Sequence, residues 1–316
     1  MPDSLIGIDV GGTKTAVVEG NFKGEILQRF EIPTEANRPF HATFPKIKDL
    51  IDNIAKKAVS KNREIKALSV SIGGPLRIDE GFIIDPPHLP GWHQLALKQI
   101  LQNTFPEWPV YIEHDGNAGA LAEYYFGAGK RVPKLAHLIF LTFGTGLGGG
   151  FIINGKILHG ASDTAGEIGH WRLAENGPVG FGKAGSWEGF AAGKGLVNLA
   201  SELYPNRWNQ STPIREIVEA ILQKNTEGLK LAQVAGEWMG KGIALLIDAL
   251  NPQMIVLGSL GVVLGEIILQ PIRDTCEKEC LPQAYRACEI VPASLGKKIG
   301  DVASIMAAIS QISNRD

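Results

Sequence analysis

The amino-acid sequence predicts an α/β fold that contains a duplicated unit. Apolar strand segments alternate with amphipathic helical segments along the chain. Near the N-terminus, Gly11-Gly12-Thr13-Lys14 joins two apolar strands, residues 4–10 and 16–19. A second glycine-rich turn, residues 144–150, follows an apolar run and precedes another strand. Two turns of the same kind, far apart in one chain, indicate two halves that face each other across a phosphate.

Both turns are suited to binding an anion. Glycine adopts backbone conformations that other residues avoid, and successive exposed N–H groups form an anion-binding nest. Their spacing differs from that of the P-loop and from the G-x-G-x-x-G sequence of dinucleotide-binding folds. For the second turn taken alone, a tight hairpin with a bulge is an equally good interpretation.

Composition indicates an ordinary globular protein. The chain has 316 residues, enough for one large or two medium domains, and is 44% hydrophobic and 20% charged. A net charge of −2 gives no reason to expect nucleic acid or an anionic membrane as a partner. We expect no membrane span and no signal peptide. The three cysteines are an odd number that favours reduced thiols and a cytoplasmic location.

Polar residues follow two further predicted strands. Gly73-Gly74-Pro75 ends the strand at residues 67–72, where it forms either a ligand contact or a simple turn. His114-Asp115-Gly116-Asn117 lies between a short strand and a helix, which is where α/β proteins place ligand chemistry. Asp115 or Asn117 is alternatively a helix N-cap.

Two segments of the second half of the chain carry further candidates. Glu167 and His170 are three residues apart and suit a ligand or a metal, or else lie in a surface turn. Gly258-Ser259-Leu260-Gly261 is another glycine turn at the end of an apolar strand.

Taken together, these segments resemble the ROK family of repressors and sugar kinases. The matching segments are GIDVGGTKTAVV, SIGGP, EHDGNAGALAE, TFGTGLGGGFIINGK, AGEIGH, GSWE and NPQMIVLGSLG. They occur in the family's order and cover nearly the whole chain. The resemblance implies the actin-like ATPase (ribonuclease H-like) fold, in which two α/β domains with mixed five-stranded sheets flank a cleft. It implies a small domain of residues 1–115 with the C-terminal helix 300–316, and a large domain of residues 116–299.

The resemblance also implies a role for each matching residue. Asp115 is the expected catalytic base. The residues expected at ATP and its phosphates are Asp9, Gly11, Gly12, Thr13, Lys14, Gly144, Thr145, Gly146, Gly258 and Gly261, with magnesium carried by ATP near Asp9. The residues expected at sugar hydroxyls are Gly73, Gly74, His114, Asn117, Glu167, His170 and Glu188.

The sequence departs from the family at two places. Many relatives bind a structural zinc through a histidine and three cysteines, but the aligned positions here are Val179, Phe181 and Ser186. A lone His170 does not supply the four N or S ligands that a structural zinc needs, so we expect no metal there. His114 replaces an asparagine that binds a sugar hydroxyl in the family, so sugar preference is expected to differ from that of an ordinary glucokinase.

The function expected from these residues is ATP-dependent phosphorylation of a hexose or N-acetylhexosamine, with the 6-hydroxyl as acceptor and glucose as the first candidate. A sugar-binding regulator without kinase activity is the alternative. A DNA-binding repressor is disfavoured, because the first phosphate-loop strand starts near Leu5. The resemblance also implies a homodimer.

Overall fold

The computed structural model describes residues 1–313 of the chain. The strands are β1 Asp3–Val10, β2 Lys14–Gly20, β3 Ile26–Pro33, β4 Glu64–Ile72, β5 Leu76–Arg77, β6 Phe82–Ile83, β7 Val110–His114, β8 Leu138–Leu141, β9 Gly149–Ile153, β10 Lys156–Ile157, β11 Val179–Gly180, β12 Lys183–Ala184, β13 Met254–Leu257 and β14 Glu289–Pro292. The helices are α1 Phe40–Ser60, α2 Leu97–Thr104, α3 Asp115–Tyr125, α4 Trp187–Ala191, α5 Gly193–Leu203, α6 Ile214–Leu222, α7 Thr226–Leu250, α8 Leu260–Leu264, α9 Glu266–Glu279, α10 Pro282–Ala287 and α11 Ile299–Ser313.

The chain divides into two compact units. Unit 1 comprises Met1–Phe126, His159–Thr164 and the C-terminal segment from Lys297, and unit 2 comprises Gly127–Leu158 and Ala165–Gly296. The predicted boundaries differ from this division at three places, of which the smallest is the start of the C-terminal segment at Lys297 rather than at residue 300. Helix α3 stays with unit 1 because it packs against α11, and segment His159–Thr164 stays there because two of its side chains bond to unit 1. Residues 314–316 of the predicted small domain lie outside the described residues.

Unit 1 is built on a five-stranded mixed sheet with the strand order β3-β2-β1-β4-β7. Strands β1, β2 and β3 pair antiparallel, whereas β4 and β7 run parallel to β1. On one face, Ile8, Val10 and Val70 pack in a core with α1 and α2. On the other face, Gly7 leaves room for α11, because a β-carbon there would lie 2.2 Å from Ser304 Oγ.

Helix α1 illustrates how sequence pattern positions an element. Its apolar residues recur every three or four positions, and Ile47, Ile51, Ile54 and Ala58 are buried against the sheet. From the sequence, this apolar spacing predicts an amphipathic helix over residues 40–60, and the structure has a helix with these bounds. The burial fixes α1 on the face opposite α11.

Unit 2 repeats the sheet of unit 1 with the strand order β10-β9-β8-β13-β14. Strands β8, β9 and β10 pair antiparallel, and β13 and β14 run parallel to β8. Its own core lies between this sheet and the long helices α7 and α9, with Ile139, Leu141 and Ile255 as sheet residues. The same strand order and directions in both units confirm the predicted duplication.

Candidate functional site

In unit 1, the predicted site residues follow three parallel strands that end in register. Val10 of β1 pairs with Ile72 of β4, which in turn pairs with His114 of β7. Gly11, Gly73 and Asp115 are the next residues along each strand. Because these strands run in one direction, the residues after them lie at one edge of the sheet. The fold therefore brings together the first glycine turn, the glycine pair and the expected base.

Short hydrogen bonds hold the first glycine turn in shape. Gly11 N donates to Lys14 O at 3.0 Å, and Thr34 Oγ1 donates to Gly11 O at 2.6 Å. Gly12 and Thr13 are exposed. Lys14 Nζ lies 2.8 Å from Glu31 Oε1, and both side chains are solvent-accessible. Because exposed ion pairs contribute little stability, Lys14 can leave Glu31 for an anionic ligand at small cost.

Asp115 is the first residue of α3 and its side chain is 52% exposed. Gly116 N donates to Asp115 Oδ1 at 2.7 Å. At Gly73 a β-carbon would lie 3.6 Å from Asp115 Oδ2, so the glycine keeps the space beside this carboxyl group open. An exposed carboxyl group held by its own helix is well placed to accept a proton from a bound hydroxyl.

His114 is the N-cap of α3, so the alternative in which Asp115 or Asn117 caps this helix is wrong. His114 Nδ1 accepts from Gly116 N at 3.2 Å. A neutral imidazole that accepts at Nδ1 carries its proton on Nε2. Its ring also lies against Gly74, where a β-carbon would be 2.9 Å from His114 Cδ2. The histidine is thus fixed by its helix and by the glycine pair, and presents one N–H donor.

Asp9, next to the end of β1, lies in an acidic environment. Burial, together with the nearby carboxyl groups of Asp115 and Asp301, raises the pKa of Asp9 to about 7, and Arg29 opposes the change. A partly buried carboxylate among other acids is a favourable neighbour for a hard cation, since magnesium prefers oxygen ligands. The residues at this edge therefore fit a magnesium ion that arrives with a nucleotide.

Asn117 lies deeper than the sequence suggests. It is 3% exposed, and its Nδ2 donates to Glu113 Oε1 at 2.9 Å. Among the residues that the structure describes, its Oδ1 is buried without a hydrogen-bond partner. In this conformation the amide faces Glu113 rather than solvent, so the expected contact with a sugar stays a prediction.

The sequence did not reveal the role of Glu113, which bonds to the Asn117 amide, or the other contacts that Glu113 makes. Glu113 Oε2 lies 2.9 Å from His159 Nε2, and Glu113 Oε1 also accepts from His114 N at 2.9 Å. Glu113 is in a strand that reads as ordinary, and His159 is 46 residues away in the sequence. No local pattern links two such residues, because only the folded chain brings them together.

In unit 2, the second glycine turn is held from both sides. Gly148 N donates to Thr142 Oγ1 at 2.9 Å, and Gly144 N donates to Gly146 O at 3.1 Å. Leu147 N donates to Glu188 Oε2 at 2.9 Å. The expected role of Glu188 at sugar hydroxyls stays a prediction, and the structure shows a bond from Glu188 to the second glycine turn that the sequence did not predict. Thr145 is exposed at the tip of this turn.

The turn after β13 lies at the same edge of the unit 2 sheet. Leu257 pairs with Leu141, and Gly258 N donates to Leu141 O at 2.9 Å. Gly261 lies in the first turn of α8 against Leu257. The predicted phosphate and adenosine residues of this unit therefore come together as their sequence positions suggested.

Glu167 immediately precedes a short 3₁₀ helix, Ile168–His170, and His170 is the last residue of that helix. Glu167 is exposed, and the ring of His170 stacks on Phe181 with 4.0 Å between centroids. Lys183 Nζ donates to His170 O at 2.7 Å. The β11–β12 hairpin thus contacts His170 through an aromatic ring and an amine.

These contacts do not fit the zinc of the family. Val179 and Phe181 supply no ligand atoms, and Ser186 Oγ bonds to the backbone of Gly180 and Gly189. Among residues 1–313, no group of three or more His, Cys, Asp or Glu side chains is arranged to hold a metal ion. His170 is instead covered by the ring of Phe181.

Comparison with known proteins identifies the family. The ROK family model matches residues 5–309. The chain belongs to the ROK family. This ROK protein is 30% identical over 311 residues to a glucokinase of Halalkalibacterium halodurans, with 93% of this chain and 92% of the relative covered. It is 31% identical over 297 residues to a xylose repressor of Caldicellulosiruptor bescii, with 89% and 72% covered.

A solved relative gives the same result for the fold. The crystal structure of a ROK family glucokinase from Streptomyces griseus in complex with glucose and AMPPNP matches with a TM-score of 0.77 and 29% identity, covering 96% of this chain and 99% of that chain. The predicted family and the predicted actin-like ATPase fold with two mixed five-stranded sheets are confirmed. Within residues 1–313, none of the helices of this ROK protein combines the length and apolar character that crossing a membrane requires.

Proposed function

We propose that this ROK protein is an ATP-dependent kinase that phosphorylates a hexose or an N-acetylhexosamine. The observation that carries the proposal is the in-register edge of the unit 1 sheet, where Asp115 follows β7 and the first glycine turn follows β1. A general base and a phosphate-binding turn are the two parts that phosphoryl transfer to an alcohol needs most. The 6-hydroxyl of glucose is the first candidate acceptor.

In the proposed reaction, Asp115 accepts the proton of the sugar hydroxyl as its oxygen attacks the γ-phosphorus of ATP. The bond from that phosphorus to the β-phosphate oxygen breaks, and ADP leaves. The N–H groups of the glycine turns and the Lys14 amine neutralise phosphate charge. Magnesium, carried by ATP near Asp9, supplies further charge neutralisation.

We assign the remaining groups within each unit. In unit 1, His114 Nε2–H, Gly73 and Gly74 face the sugar. Asn117 is assigned to the same sugar site, and its amide bonds to Glu113. In unit 2, Gly144, Thr145 and Gly146 bind phosphate, Gly258 and Gly261 lie at the adenosine, and Glu167, His170 and Glu188 serve sugar hydroxyls. Paired donors and acceptors of this kind suit a polyol.

The relatives support the same assignment. A glucokinase shares 30% identity over most of both chains, and the Streptomyces griseus relative was solved with glucose and AMPPNP. Similarity to a xylose repressor supports the second candidate, a sugar-binding regulator without kinase activity. A cytoplasmic location and a homodimer are further parts of the proposal that rest on resemblance to the family.

A coupled ADP-release assay with ATP, magnesium and a panel of hexoses and N-acetylhexosamines tests the proposal. We expect sugar-dependent turnover, and a loss in kcat of about 10²–10⁴-fold in Asp115→Asn. Asp49→Asn, on the exposed side of α1, is the matched control and should retain full activity.

Two results would contradict the proposal. If Asp115→Asn leaves turnover unchanged, Asp115 is not the general base. Absence of turnover with every sugar, together with a sugar-dependent rise in thermal midpoint, would establish the regulator instead.

A further inference from the structure

One short segment belongs to a different unit from the residues on either side of it in the sequence. Residues His159–Thr164 belong to unit 1, although Leu158 and Ala165 on either side belong to unit 2. Two side chains attach this segment to unit 1. His159 Nε2 lies 2.9 Å from Glu113 Oε2, and Ile78 N donates to Asp163 Oδ2 at 2.9 Å. The segment is therefore fixed to unit 1 by contacts at both of its ends.

Glu113 connects this segment to the start of α3. Its side chain is 6% exposed, and its two oxygens bond to three groups. Oε1 accepts from His114 N and from Asn117 Nδ2, each at 2.9 Å, and Oε2 bonds to His159. A buried carboxylate is costly unless it is paired and hydrogen-bonded, so the three contacts depend on each other.

Two of the residues that bond to Glu113 lie on either side of Asp115 in the sequence. His114 lies immediately before it and Asn117 two residues after it, in the first turn of α3. Fixing the backbone at His114 and the side chain at Asn117 fixes the direction in which Asp115 leaves the helix. A shift of about 1 Å in a reacting group can cost on the order of 10²-fold in rate, so this support bears on catalysis.

We propose that His159 is a positioning residue, which acts through Glu113 to hold the first turn of α3 and with it the Asp115 carboxyl group. The inference rests on the proposed function for its catalytic consequence, because Asp115 matters as the base of a kinase. His159 itself touches no reacting atom. Its role is to supply the charge and the N–H that keep Glu113 in place.

The charges around His159 give the contact a pH dependence. The bond to Glu113 raises the pKa of His159, burial opposes the change, and the charges of Glu113, Asp163 and Asp79 raise it further. His159 therefore stays protonated to a higher pH than an ordinary imidazole, and its protonated form pairs with Glu113. As pH rises through the His159 pKa, the positive charge is lost and the buried carboxylate keeps only a neutral partner.

The test compares His159→Ala and His159→Gln with His93→Gln. His93 is a matched control in the same unit, because its Nδ1 lies 3.2 Å from Asp85 Oδ1 in an exposed pair. We expect His159→Ala to lower kcat by about 10- to 100-fold, with little change in the KM for ATP. His159→Gln keeps an N–H donor, so it should lose less activity and also lose the alkaline decline of kcat. His93→Gln should behave as wild type.

A second measurement is independent of kinase activity. We expect hydrogen exchange of the amides in residues 113–120 to accelerate in His159→Ala and to stay unchanged in His93→Gln. A folded His159→Ala protein with wild-type exchange in this stretch would overturn the inference, as would a wild-type pH profile of kcat in His159→Gln. If the wild-type protein shows no turnover with any sugar, the proposed function fails, and the exchange experiment still decides whether His159 holds α3.

Discussion

The two glycine turns occupy equivalent places in two sheets of the same topology, but different side chains surround them and bond to them. Each turn joins the first strand of its sheet to an antiparallel neighbour. Two residues before the first glycine, unit 1 has Asp9 and unit 2 has Thr142. Asp9 is a carboxyl group with its pKa raised to about 7, whereas Thr142 is a hydroxyl bonded to Gly148 N.

The supports of the turns differ as well. Thr34, just after β3, holds the first turn through Gly11 O. The second turn uses its own Thr142 and also Glu188, which is 41 residues from Leu147. The comparison indicates that topology fixes where each glycine turn lies, whereas the side chains around it decide its charge and rigidity. In the proposed function, the acidic turn suits a cation beside a phosphate, and the neutral turn suits a phosphate alone.

The largest expected effect concerns the charge at Asp9. In the folded protein its pKa lies near 7, against 3.8 as the ordinary value. At about pH 3, below its ordinary pKa, the group is mostly neutral in both states. As pH rises towards 7 the unfolded chain ionises first, so the free energy of unfolding falls by on the order of a few kcal/mol.

The variant Asp9→Asn removes this titration. Its thermal midpoint without ligands should match that of wild type near about pH 3 and exceed it at about pH 8, measured by calorimetry across that range. Thr142→Val is the matched change in unit 2, and its effect should not depend on pH. A constant difference between Asp9→Asn and wild type at every pH would contradict the assigned ionisation.

An intermediate effect is expected at Glu188. Glu188→Ala leaves the N–H group of the buried residue Leu147 without its acceptor, at a cost of about 1–3 kcal/mol. Glu188→Gln keeps an oxygen at that position and should cost less. We therefore expect ATP affinity, measured by calorimetric titration, to fall more in Glu188→Ala than in Glu188→Gln.

Equal losses in the two Glu188 variants would show that its charge, and not its bond to the turn, matters. If only sugar affinity changed, Glu188 would have no part in holding the second turn, and the difference between the two turns would be smaller than the structure indicates.

The smallest expected effects are at the two threonines. Thr34→Val removes the hydroxyl that donates to Gly11 O, and Thr142→Val removes the acceptor of Gly148 N. Thr34 Oγ1 also bonds to Thr15 Oγ1, and Thr142 Oγ1 also donates to Gly148 O. A neutral hydrogen bond contributes about 0.5–1.5 kcal/mol, so each variant should lower the unfolding midpoint modestly. Thr34→Ser and Thr142→Ser keep the hydroxyl and serve as controls. Serine variants that lose as much stability as the valine variants would assign the effect to packing.

Much of the fold was predictable because its signals are local. The apolar spacing of residues 40–60 predicted α1, and the glycine turns between apolar strands predicted the two hairpins. The cap of α3 was not predictable in the same way. Histidine is an unusual cap residue, and its role depends on how Nδ1 turns towards Gly116 N.

The assignment of residues to the two units was likewise not fully predictable from the sequence. Segment His159–Thr164 carries no composition that marks it as part of unit 1. It belongs there because Glu113 and Ile78 bond to it, and neither partner lies near it in the sequence.

The sequence by itself determined the two glycine turns, the strands that they join and the place of Asp115 after a strand, because periodicity and glycine freedom act over a few residues. Only the tertiary structure decided that Glu113 binds His159, that Glu188 supports the second turn and that Phe181 covers His170. Those contacts join residues from distant parts of the chain, and they form only after burial has brought their elements together.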